Sequence, residues 1–70
     1  MEAEIGHAAG VIWEYLDRSG ETPLSKLRQG TKLSDQVLFL GLGWLAREGK
    51  VRFEKEGRTL KVGLRERPAA

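Results

Sequence analysis

The chain has no cysteine, only two prolines and a single histidine among its 70 residues. Without cysteine there is no disulfide framework, thiolate zinc site or cysteine nucleophile. No apolar run approaches the roughly 20 residues of a membrane span. The opening Met-Glu-Ala-Glu lacks the basic segment and apolar core of a signal peptide, so the reading is cytoplasmic, with no membrane partner. His7 falls on the polar side of a predicted helix beside Glu4 and Glu14, with no oriented partner for base catalysis and too few neighbours for a metal. Ser19, Ser25 and Ser34 stand in no pattern with it. Gly41 and Gly43 fall inside a helix rather than between strand and helix, so they form no phosphate cradle. Glu54 and Glu56 share a strand face on an exposed hairpin. Catalytic, cofactor-binding and metal residues are therefore all expected to be none, with no small-molecule substrate.

What is present fits one small domain. A single core of this size supplies only a few kcal/mol beyond the entropy cost, which leaves an oligomer interface as the candidate staple. Charge is uneven. Residues 1–49 carry a net of −2 and residues 50–70 a net of +4. The C-terminal third has the sign of a phosphate-binding patch, although Glu54 and Glu56 interrupt it and solvated strand edges use the same residues.

Three helices and a hairpin follow from the patterning. Over Glu2 to Ser19, the residues Ile5, Ala9, Ile12 and Leu16 keep one helix face. Ser19-Gly20 ends the helix. Gly6 and Gly10, one turn apart, leave room for another backbone. A short second helix is expected from an N-cap at Thr22 and Pro23 at its first position, with Leu24 and Leu27 inward and a stop at Gly30. Thr31-Lys32 makes the turn, and Ser34 caps a third helix with Asp35 in its first turn. After Gly49 the period becomes two: Val51 and Phe53, then Leu60, Val62 and Leu64, around a turn at Lys55-Glu56-Gly57-Arg58. This hairpin has one apolar face and must pack on the helices. Residues 65–70 are expected to be a disordered tail after a domain spanning 1–64.

Helix, turn, helix, then hairpin is the order of a winged helix-turn-helix domain, of α+β class in the order α-α-α-β-β. Leu38, Leu42 and Leu45 followed by Gly49-Lys50-Val51 resemble the winged-helix signature of a leucine-bearing helix entering the wing. Ile12-Trp13 and Leu42-Gly43-Trp44-Leu45-Ala46-Arg47-Glu48 resemble a family of short, stand-alone bacterial winged-helix proteins of unassigned function. The resemblance implies a wing-bearing domain but no particular activity.

The third helix decides what is bound. Gly41, Leu38, Leu42 and Leu45 form one face, which the resemblance assigns to the core against Ile5, Ile12 and Leu16. Leu33, Val37, Leu40 and Trp44 form another, pointing where DNA would lie, and Phe39 adds a third apolar side. A base-reading helix presents arginine, lysine, asparagine, glutamine or serine. Ser34 and Gln36 qualify, but no lysine or arginine occurs between Lys32 and Arg47. A helix apolar all round is often buried, and the wing strands are one possible cover. Two readings stay open, the fold resemblance favouring the first as the family-level label and the residues of the third helix favouring the second. One is a transcription-factor-like module binding duplex DNA weakly, through Ser34 and Gln36 and mainly through phosphate contacts from Lys26, Arg28, Lys32, Arg52, Lys55, Arg58 and Lys61. The other is a protein-interaction module, or a homodimer, using Val37, Phe39, Leu40 and Trp44.

Overall fold

The structure, a computed structural model, describes residues 1–65. Helix α1 spans Glu2–Ser19, strand β1 Thr22–Pro23, helix α2 Leu24–Thr31, helix α3 Asp35–Arg47, and strands β2 and β3 Val51–Glu56 and Thr59–Leu64. The three helices and the hairpin stand where the patterning puts them. The expected tail falls largely on residues 66–70, outside the described residues. Arg65 is described, and its N–H donates to the Lys50 carbonyl at 2.9 Å.

β1 is a departure from the expected order. Thr22 is not a helix cap: it pairs with Val62 of β3, is buried, and its hydroxyl donates to the Gly20 carbonyl at 2.7 Å. Pro23, at φ −61° and ψ 145°, is still extended, so α2 begins one residue later at Leu24. A two-residue edge strand tolerates proline because no inner ladder bond needs its missing N–H. The sheet is antiparallel throughout, in the order β1-β3-β2, which makes β3 central.

The helix ends also sharpen the expectation. α1 stops at Gly20, where φ is 76°. α2 does not stop at Gly30 but runs on to Thr31, and Lys32 takes the left-handed conformation at φ 58°. Gly30 answers a different need, because a Cβ there would collide with the Tyr15 ring, 2.7 Å from its hydroxyl oxygen. The hairpin turn is tighter than expected. Glu56 pairs with Thr59 across a two-residue loop, with Gly57 at φ 59°. Glycine at the first central position suits the right-handed twist of the flanking strands.

The core is one cluster. Ala9, Ile12 and Leu16 of α1 meet Leu27 of α2, Leu38, Leu42 and Leu45 of α3, and Val51 and Val62 of the sheet. α3 lies close on α1 because Gly41 has no side chain. A Cβ there would sit 3.0 Å from Ile12 Cδ1 and 3.3 Å from the Ala9 backbone nitrogen. Ile5, expected in this core, is only half-buried and outside the cluster. The hairpin's apolar face is covered unevenly: Val62 is fully buried, while Phe53, its partner on the edge strand, is 45% exposed.

Candidate functional site

α3 occupies the second-helix position of the helix-turn-helix unit and forms most of the candidate surface. Ser34 accepts a hydrogen bond from the Val37 N–H at 3.3 Å, which fixes where the helix starts. Asp35 is held by Arg28 of α2 in a two-pronged pair, Nε to Oδ1 at 2.9 Å and Nη2 to Oδ2 at 2.8 Å. These contacts commit both Ser34 and Arg28, two of the residues nominated for DNA, to internal partners.

The core face of α3 is the expected one: Leu38, Gly41, Leu42 and Leu45 are buried. At about 100° per residue, the outermost line is then Gln36, Leu40, Gly43 and Arg47. Phe39 flanks it on one side, Val37 and Trp44 on the other. Phe39 is 50% exposed, Leu40 40% and Trp44 51%, so the wing does not cover them. Val37 is half-buried. Leu33 leaves the expected apolar face altogether: it precedes the helix and packs against the core. Trp44 also points elsewhere than expected. It lies along α1, sharing one hollow with Glu2, Ile5 and Gly6 and another with Gly10 and Trp13.

That second hollow, a groove of about 390 Å³ between α1 and α3, was not nominated from sequence. Trp44 and Trp13 wall it, with Gly6, Ala9 and Gly10 beneath and Lys50 at one end. Its signal was the pair of glycines one turn apart. The other backbone expected there is absent among the described residues, since nothing lies within 4 Å of a Cβ added at Gly6 or Gly10. The glycines therefore leave open surface rather than a close helix contact.

The cations divide into two groups. Arg52 reaches across Gly63, donates to the Leu64 carbonyl at 2.6 Å and pairs with Glu21 at 3.3 Å. β1 reaches only as far back as Thr22, so Arg52 supplies the donor that a longer strand would have offered Leu64. Gly63 makes room, because a Cβ there would meet the guanidinium at 2.9 Å. Lys61 pairs with Glu56 at 2.8 Å. The hydrogen bond and charge of Lys61 hold the Glu56 carboxyl below its ordinary value, and Glu56 raises Lys61 in return. Lys26, Lys32, Lys55 and Arg58 pair with no carboxylate among the described residues. Arg58 and Arg28 are brought together in a cleft of about 270 Å³, beside Pro23, Leu24 and Ser25 at the start of α2. No group of three or more potential metal ligands occurs among the described residues, and no helix there is long and apolar enough to cross a membrane.

Comparison with known proteins adds two findings. Residues 1–64 match the model of the family described as "Winged helix-turn-helix domain (DUF2582)". The solution NMR structure of protein BT2368 from Bacteroides thetaiotaomicron superposes with a TM-score of 0.81 at 29% identity, over 91% of this chain and 79% of that one. A search of curated proteins found no match.

Proposed function

The chain belongs to the winged helix-turn-helix family DUF2582, and from that premise we propose that it is a non-enzymatic binding module whose third helix docks a protein partner. One observation carries this reading: the helix in the recognition position exposes Phe39, Leu40 and Trp44 by 40 to 51% and has no lysine or arginine between its N-cap and Arg47. Such a surface gains from apolar burial and has little to offer a phosphate or a base edge. Large exposed apolar side chains gathered on one element mark interaction sites in small domains. The groove beside Trp44 extends the same surface onto α1.

A second reading rests on the cations that pair with no carboxylate among the described residues. Lys26, Lys32, Lys55 and Arg58 lie on α2, the turn and the wing, where a winged helix meets the DNA backbone. Three of the other nominated cations are tied to carboxylates, so few remain to displace counterions. Binding on this reading is weak, indifferent to sequence and steeply salt-dependent.

Anisotropy titration of a labelled duplex at low and physiological salt separates the two. The second reading expects weak binding at low salt that fades at physiological salt and falls on Lys55→Ala plus Arg58→Ala, whereas the docking reading expects no duplex binding even at low salt. Tight binding at physiological salt that is lost on Gln36→Ala would make α3 a base reader and overturn it.

A further inference from the structure

Among the described residues, β2 offers the long open edge of the sheet. The opposite edge, β1, is two residues long and contains Pro23, which has no N–H to present. The phase of β2 is set by its pairing. Lys50 accepts from the Arg65 N–H, and antiparallel bonds recur every second residue, so Arg52, Glu54 and Glu56 bond inward to β3. The N–H and C=O groups of Val51, Phe53 and Lys55 therefore face away from the sheet. Phe53 stands at the middle of this edge, 45% exposed on the helix side.

We propose that this edge is a self-association site at which two copies pair β2 against β2, antiparallel, about a twofold axis through Phe53. The three-stranded sheet becomes six-stranded, and the outward groups of Val51, Phe53 and Lys55 all find partners. Charge selects the occupant and the register. With Phe53 opposite Phe53 of the second copy, Arg52 opposes Glu54 of that copy twice over, and Val51 opposes Lys55. Keeping the bonds in phase requires a slip of two residues between registers. One such slip sets Arg52 on Arg52, the other Glu54 on Glu54. Like charges directly opposite are unfavourable and opposite charges favourable, so the Phe53-centred register is the one the sequence accommodates. Arg52 takes part through its charge alone, since its guanidinium stays over Gly63 on the sheet's outer face. The inference goes beyond the proposed docking role of α3 and uses a different surface.

Sedimentation velocity from micromolar to millimolar concentration tests it. The whole chain is expected to show a monomer–dimer equilibrium, with amides of Val51, Phe53 and Lys55 exchanging more slowly as the dimer fills. Phe53→Lys places two cations on the axis and abolishes the dimer. Phe53→Pro does the same by removing an outward donor while sparing the bonds to β3, and its circular dichroism checks the fold. A chain that stays monomeric across the range overturns the proposal. So does a dimer that survives both Phe53 variants, or one that disperses on Leu40→Asp instead.

Discussion

Gly41 and Gly43 stand two residues apart in α3 and meet opposite surroundings. A Cβ on Gly41 would press on Ile12, Ala8 and the α1 backbone, whereas one on Gly43 meets nothing within 4 Å. Alanine is favoured over glycine in a helix by about 1 kcal/mol, and overpacking a tight contact costs about 1–3 kcal/mol. Gly41→Ala should therefore lower the denaturation midpoint and Gly43→Ala should raise it, both read from urea unfolding. Spacing puts Gly41 on one face with Leu38, Leu42 and Leu45, because helical periodicity is a local property; the resemblance assigns that face to the core, and the structure buries it. Gly30 shows where that legibility ends. Its neighbour Tyr15 comes from another helix, and nothing in the string Leu-Arg-Gln-Gly-Thr-Lys announces an aromatic ring overhead. The same holds for Gly63, whose role depends on Arg52 crossing from the next strand.

At the scale of elements, the boundaries set by local chemistry were readable and those set by partners were not. Ser34 caps α3 as its place in the sequence indicates, and Ser34→Ala should cost about 1 kcal/mol in chemical unfolding. Thr22 and Pro23 carry equally good capping credentials, yet β3 takes them into the sheet, and pairing between distant segments leaves no trace in a short window. The wing's nominated cations divide for a similar reason: whether a lysine or arginine is free depends on which carboxylate the fold places beside it. Glu56 and Lys61 give a direct check. The Glu56 carboxyl is held below its ordinary value by Lys61, so its contribution to stability is present above the unfolded value and lost as pH falls through the folded one. Lys61 is raised, and its contribution is lost as pH rises through that raised value. Glu56 is exposed and Lys61 half-buried, and the effect is best read by NMR titration. Glu56 should titrate below an ordinary glutamate in the native chain and return upward in Lys61→Ala.

For the whole molecule, the order of elements and the composition of α3 were legible, and the direction of its apolar residues only partly so. Leu40 faces outward as the spacing requires. Trp44 turns along α1, and Leu33, which precedes the helix, packs against the core. The surface that results is apolar on α3 and sparsely basic on the wing. The apolar part is the proposed contact of α3 with a protein partner. Photo-cross-linking in cells, with a benzophenone amino acid replacing Leu40, addresses that contact directly. Docking through α3 predicts a protein adduct at Leu40 that does not form when the label replaces Lys26, exposed on α2. Cross-links from Leu40 to nucleic acid, or no adduct from Leu40 at all, would contradict it.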